Sequence, residues 1–296
     1  MYLLRGSFDL YITDYCNLHC KECCVLDYTW NNGVGKNITE SITYDDVVSI
    51  IDNLKRLDLQ LEQMKFMGGE PTLHRDIGKM IDYAKSSGVV KELGLVTNGL
   101  NFTDSVVDAI SKLDVLMISV YPIDGSFQKF YDSEPISGNL GLNYSSNPSG
   151  KLDKQALHHT WNISELGKYL NSKIKEVQWW YQPKFEKLGM ERPADTHHWK
   201  YNQELNFERC YKKDICRAIT TDGIYRCIVS YAEKINLQSW TSKQEIINYM
   251  ESNIPLDRCK TCPQPPLLED WDSDNLPVDQ TVYNKGIELI KNWSRE

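Results

Sequence analysis

The chain has 296 residues, of which 41% are hydrophobic and 25% charged. That composition describes a globular protein and excludes collagenous, low-complexity and largely disordered classes. A formal net charge of -8, with lysine and arginine scattered along the chain, provides no basic field for a phosphate backbone and argues against nucleic acid as substrate. No run approaches the roughly 18 apolar residues of a membrane span, and the N-terminus enters an alternating strand without a signal-peptide core. The expectation is a cytoplasmic protein with no membrane partner. Nine cysteines, an odd number, then read as free thiols rather than a disulfide framework.

In chain order, residues 8–12 (FDLYI) predict a strand. A helix over about 43–57 follows, with Thr43 and Asp46 as a capping box and Val47, Ile50, Ile51 and Leu54 on one face. Residues 64–67 predict a second strand, ending at Gly68, and residues 75–86 a helix stopped at Gly88. Residues 93–97 predict a third strand, Thr103 caps a helix carrying Val106, Ile110 and Leu113, and 115–120 predict a fourth strand. These βα steps imply a parallel sheet. Residues 126–150 have loop composition. A further βα step is expected from Trp161 through Leu170 into a strand at 176–181. Beyond it, 217–229 reads as an antiparallel hairpin turning at Asp222-Gly223. The hairpin lies outside the βα pattern, so three units are expected: a partial barrel over 1–205, a small module over 206–270 and a tail with a last helix over 271–296.

Cys16, Cys20 and Cys23 form a CxxxCxxC motif just past the first strand. Active sites of parallel barrels gather at that end. Clustered thiolates select zinc or an iron-sulfur cluster. Structural zinc takes four protein ligands, whereas three cysteines on a four-iron cluster leave one iron open. Cys24 is a poor fourth ligand because adjacent side chains diverge. The later strands end in Gly68-Gly69-Glu70-Pro71, Thr97-Asn98-Gly99 and Ser119-Val120-Tyr121-Pro122, all expected on the same barrel face. Glycines there would admit close backbone approach to a ligand, and Glu70 offers an acceptor for an ammonium group.

Through CNLHCKEC at 16–23 and GGEP at 68–71, the sequence resembles the radical S-adenosylmethionine (SAM) superfamily over about residues 8–125. The resemblance implies an α/β fold, a partial (βα)6 parallel barrel with a small C-terminal module. It also implies a four-iron cluster (4Fe-4S) on Cys16, Cys20 and Cys23, whose open iron chelates SAM. Gly68, Gly69 and Glu70 would hold the methionine amino group, and Thr97, Asn98 and Ser119 the ribose or carboxylate. The family often has an aromatic residue before the third cysteine, where this chain has Glu22. The chemistry implied is reductive cleavage of SAM to a 5'-deoxyadenosyl radical that abstracts a substrate hydrogen, with an electron donor such as flavodoxin or ferredoxin as partner.

Five cysteines remain: Cys210, Cys216, Cys227, Cys259 and Cys262. The CxxC at 259–262 beside a cysteine-bearing hairpin is ligand spacing. The arrangement resembles the auxiliary-cluster module of SPASM or twitch type, implying a second, auxiliary 4Fe-4S cluster on Cys210, Cys227, Cys259 and Cys262. The Gly223–Cys227 interval is one residue shorter than usual. Cys216 stays open between alternative ligand, hydrogen-atom donor and inert core. If Thr221 and Ile224 flank the turn, Ala218 pairs with Cys227 and places Cys216 diagonal to it.

The pairs His158-His159 and His197-His198 read as solvated loop residues, and Trp179, Trp180 and Tyr181 as core or mouth aromatics. The Ser119–Ile123 strand end and the cysteine-rich hairpin are similar to radical SAM proteins of carbohydrate metabolism, implying epimerisation or dehydrogenation at a carbinol carbon of a sugar, aminocyclitol or glycan. A peptide maturase is the alternative, weakened because a barrel opening at residue 8 leaves no room for an N-terminal peptide-recognition module. A zinc-stabilised binding module is the non-catalytic rival. A glycyl-radical activase ranks lower still, since the ferredoxin-like insertion such activases often carry is not seen between Cys24 and Gly68.

Overall fold

The computed structural model describes residues 1–16, 41–120, 163–181, 203–208, 210, 213, 216–227, 233–237, 241–257 and 259. The expected loop at 126–150 and the tail helix lie outside them. The described strands are β1 (Tyr2–Thr13), β2 (Leu59–Gly68), β3 (Val90–Thr97), β4 (Val115–Val120), β5 (Glu176–Tyr181), β6 (Cys216–Thr220) and β7 (Gly223–Tyr225). The helices are α1 (Tyr44–Arg56), α2 (Ile77–Ser86), α3 (Asp104–Ile110), α4 (Ile163–Lys173), α5 (Gln203–Glu208) and α6 (Lys243–Met250).

All seven strands form one unclosed sheet in the order β5-β4-β3-β2-β1-β6-β7, and every pairing except β6–β7 is parallel. The stepwise run from β1 to β5 is the expected βα progression. The sixth parallel strand is the first arm of the hairpin, which pairs with the free edge of β1 through Ser7–Cys216 to Leu10–Ile219. The hairpin therefore belongs to the main sheet instead of standing outside the βα pattern. β1 carries an edge of backbone donors and acceptors that must be satisfied, and β6 covers it.

Strand alternation sorts the side chains into two faces. Phe8, Leu10 and Ile12 of β1 share the buried core with Met64, Phe66, Leu93, Leu95, Leu116, Ile118 and Ile219 and with the apolar stripes of the helices. In α1 that stripe is Val47, Ile50, Ile51 and Leu54, and Thr43 with Asp46 closes a capping box, as expected from the sequence. The opposite face carries Asp9, Tyr11, Lys65, Met67, Gly94, Val96, Val115 and Met117, the alternate residues of the same registers. On it Lys65 Nζ stands 3.3 Å from Asp9 Oδ1 in a largely buried ion pair. No helix among the described residues is long and apolar enough to cross a membrane.

Candidate active site and a second cysteine cavity

The first cysteine loop leaves β1 at Thr13 and lies directly on the loop that follows β2. Gly69 N donates to Thr13 O at 2.6 Å, and Glu70 N donates to Tyr15 O at 2.8 Å. A Cβ added to Gly68, whose φ is +148°, would stand 2.2 Å from Thr13 O, and one on Gly69 would stand 2.3 Å from Tyr15 O. Both are far inside van der Waals contact. Backbone packing against backbone thus requires glycine at both positions, in addition to the ligand approach expected from the sequence.

Glu70 is fully buried. Its Oε1 accepts from Thr72 N at 3.0 Å, Thr72 Oγ1 at 2.6 Å and Thr97 Oγ1 at 2.7 Å, and its Oε2 accepts from Asn98 N at 2.7 Å. Burial pushes its carboxyl above the usual range, while these donors pull the other way. The carboxylate thereby pins the loop after β3 to the loop after β2, a fastening role that the sequence reading had not assigned. Thr97 belongs to the same lock, since its hydroxyl also accepts from Gly99 N at 3.1 Å. Asn98 turns its side chain toward the cysteine loop, with Nδ2 3.9 Å from Cys16 Sγ, while Oδ1 accepts from Leu100 N at 3.0 Å. Ser119 stands at the corresponding end of β4, paired in register with Trp180.

The far side of the cysteine loop is anchored where the chain returns to the described residues. Thr13 Oγ1 and Ser41 Oγ share a 2.6 Å hydrogen bond, and Ile42 N donates to Ile12 O at 3.0 Å. His74 is buried and bridges two segments: Asp76 N donates to its Nδ1 at 3.1 Å, which leaves Nε2–H to donate to Ile42 O at 2.9 Å. The paired histidines at 158–159 and 197–198 lie outside the described residues, and nothing in the spacing of single histidines marks this one. Its position three residues past the GGEP motif was the available signal.

Cys16 is buried at this junction, and Cys20 and Cys23 lie outside the described residues. The surroundings fit a thiolate-bound cluster chemically: a buried cysteine at the C-terminal end of a parallel sheet, with an amide N–H directed at its sulfur.

A family model for the radical SAM superfamily matches residues 10–129. That segment is a radical SAM domain. It is 28% identical over 184 residues to an S-adenosylmethionine-dependent nucleotide dehydratase of Selenomonas ruminantium, covering 58% of this chain and 63% of that protein. It is 33% identical over 91 residues to a GTP 3',8-cyclase of Staphylococcus saprophyticus, covering 31% of this chain and 26% of that one. The chain thus spans less than two thirds of the length of either curated relative. Among solved structures it aligns with BtrN in complex with AdoMet and 2-DOIA (TM-score 0.47, 12% identity, 85% of this chain and 84% of that one). It also aligns with anSMEcpe with bound AdoMet and a peptide (TM-score 0.49, 11% identity, 99% and 97%). A radical SAM domain implies a four-iron cluster and bound SAM.

The second group of cysteines of this radical SAM chain gathers elsewhere. Cys210, Cys227 and Cys259 line one cavity of about 330 Å³. Cys210 follows α5, with its N–H donating to Phe207 O at 3.2 Å; Cys227 follows β7; Cys259 N donates to Leu256 O at 2.9 Å. Burial pushes the Cys259 thiol up, and neighbouring Cys210 adds to the effect. Among the described residues no three His, Cys, Asp or Glu side chains stand close enough to hold a metal, and Cys262, the expected fourth ligand, lies outside them. The thiol set fits a metal-thiolate centre in kind, and Cys262 is needed to complete it.

Cys216 does not line that cavity. The hairpin register is Ala218–Tyr225, Ile219–Ile224 and Thr220–Gly223, so Thr221-Asp222 forms the turn. The sequence reading placed the turn one residue later, at Asp222-Gly223. Gly223 cannot serve there because it is drawn into β7, where a Cβ would stand 2.6 Å from Ile235 O of the neighbouring strand segment. Cys216 pairs with Ser7, six residues before Thr13 on β1, or about 20 Å along the strand from the Cys16 junction. Its neighbour Arg217 lines the second cavity, so Cys216 lies nearer to that group of cysteines in sequence than to the first.

Proposed function

We propose that this radical SAM enzyme abstracts a hydrogen atom from a carbinol carbon of a sugar-containing substrate and thereby epimerises or dehydrogenates it. The cluster, with SAM bound, supplies reductive cleavage to a 5'-deoxyadenosyl radical. The chain's own residues hold that chemistry in place: Glu70 and Thr97 lock the two strand-end loops together, Gly68 and Gly69 seat the cysteine loop, and Asn98 faces Cys16. The observation that carries the reading is this junction at the C-terminal ends of parallel strands, built around the motif that the superfamily shares.

The sugar we place first is the ribose of a nucleotide. By their printed names, the two relatives act on a nucleotide and on GTP. Both substrate classes carry ribose hydroxyl carbons, which suit the carbinol reading. We further propose that Cys210, Cys227, Cys259 and Cys262 hold an auxiliary four-iron cluster. A small electron-transfer protein of flavodoxin or ferredoxin type would reduce the enzyme.

The test is to incubate anaerobically reconstituted, reduced protein with SAM and, in turn, CTP, GTP, UDP-glucose and a synthetic peptide in deuterated water. Deoxyadenosine release stimulated by a sugar-bearing probe, with deuterium at carbon or a two-electron-oxidised product, is the expected result. Stimulation by the peptide alone would move the assignment to peptide modification. Iron-loaded protein that releases no deoxyadenosine under any condition would end it.

A further inference from the structure

The cavity lined by Cys210, Cys227 and Cys259 is also lined by four cations, Arg5, Lys213, Arg217 and Arg226, against a single carboxylate, Glu251. Arg217 and Arg226 are buried, with 8% and 7% of their surface exposed. The Arg226 guanidinium donates from Nη1 to Ser252 O at 2.8 Å and from Nη2 to Ile254 O, neutral carbonyls that leave its charge in place.

Three of the cations are held over aromatic rings. Arg217 sits 5.5 Å from the centre of the Phe8 ring, Arg226 lies 5.8 Å from Phe207 and 5.5 Å from Tyr249, and Lys213 stands 5.2 Å from Phe207. Ring faces attract a cation without cancelling its charge. Phe207 therefore carries two positive groups at the mouth of one cavity. Like charges gathered in partly desolvated space repel one another, and Glu251 and Glu233, the latter close enough to raise the Cys259 thiol, offset part of them; an anion in the cavity would be favoured by the rest.

We infer that this basic collar is built for an anionic metal-thiolate centre and holds the reduction potential of that centre up. This rests on the auxiliary cluster proposed above. A four-iron cluster on four thiolates is negative in both redox states and gains one more negative charge when it takes up an electron. Fixed positive charges therefore stabilise the reduced form more than the oxidised one, and net charge around a cluster is among the factors that set its potential. Because Arg217 and Arg226 are buried, salt screens their effect less than it would at the surface. Lys213 and Arg217 act here as positioning residues for charge and need not touch the metal.

The experiment is an anaerobic redox titration, followed by electron paramagnetic resonance, of full-length reconstituted protein in a Cys20→Ala background, with a dithionite-class reductant supplying the electron. The Cys20→Ala change removes the first cluster from the signal. Lys213→Gln and Arg217→Met are expected to shift the remaining midpoint to more negative potential while iron content holds, and Arg217→Lys is expected to stay close to the parent. Unchanged midpoints in both neutral variants, with iron retained, would overturn the inference. Failure of the underlying reading looks different: Cys259→Ala would then keep all the iron of the parent, or the parent would hold a redox-silent metal, and the inference falls with it.

Discussion

The amide of Asn98 donates a 2.7 Å hydrogen bond to Oε2 of Glu70, joining the loop after β3 to the loop after β2 through a carboxylate that solvent does not reach. Glu70→Gln separates the two halves of this lock. If the new amide oxygen keeps the three donors on Oε1, the amide nitrogen replaces Oε2 and faces the Asn98 N–H, donor against donor. A buried donor left unsatisfied costs on the order of 1–3 kcal/mol. The expected outcome is a lower midpoint in urea and reduced iron loading, read by denaturation and iron assay on the same preparation. A variant with wild-type stability and iron would show that the lock is dispensable.

Gly69→Ala is expected to damage the site more than its size suggests. Its methyl group would meet Tyr15 O and Asp14 O at 2.3 and 2.7 Å, both of them backbone atoms that cannot rotate away. Overpacking of this kind costs roughly 1–3 kcal/mol, and relief requires the cysteine loop to lift off the glycine loop. Weaker SAM binding by equilibrium dialysis, with the far-UV spectrum preserved, is the expected signature.

Lys65 and Asp9 form their ion pair on the sheet face away from the helices, with only 15% and 7% of their side chains exposed. Lys65→Met takes a charged partner from the buried Asp9 carboxylate, a change that costs up to about 3–5 kcal/mol in comparable cases. Adding Asp9→Leu should recover much of that loss. Urea unfolding of both singles and the double measures the coupling, and additive losses would refute it.

Cys216→Ser is expected to leave both iron content and deoxyadenosine formation at wild-type levels. The thiol lies beside Ser7, in the half of the sheet remote from the Cys16 junction. Accumulation of a reduced or trapped product intermediate in this variant would restore the hydrogen-donor role.

Acid should loosen the hairpin through Asp222. Desolvation opposes ionisation of its carboxyl, but hydrogen bonds from Lys234, Thr220 and Tyr225 outweigh it and hold the value below the usual 3.8. A depressed acid contributes stability that is present above the unfolded value and disappears as pH falls through the folded one. Asp222→Asn is therefore expected to be less stable than wild type at neutral pH, with the gap closing below 3.8. Parallel acid-unfolding curves for the two proteins would exclude this contribution.

Much of the sheet could be read from periodicity and caps. The strands at 115–120 and 176–181 fall where expected, as does the Thr43–Asp46 box, because each depends on neighbours close in sequence. Helix α6 was not among the expected elements, although Ser242 and Glu245 form a capping box of the same kind. The pairing of β6 with β1 was out of reach, since it joins residues more than 200 positions apart with no intervening repeat. At the site, the motif identified Glu70, Gly68 and Gly69 as ligand contacts, and it gave no sign that the same residues also fasten one loop to another, because that depends on loops distant in sequence. Lys213, Arg217 and Arg226 gave no signal at all, because scattered basic residues become a collar only once β1, β6 and α5 are brought together.

The parallel contact between β1 and β6 means that the last third of the chain cannot be treated as an optional attachment. A fragment ending before residue 216 would retain the whole family-matched segment and every cysteine of the first loop, yet it would present one side of β1 as a bare row of amides and carbonyls. Such a border recruits other chains. Attempts to produce the N-terminal portion alone should yield insoluble, self-associating material, and expression that runs through the hairpin should cure it.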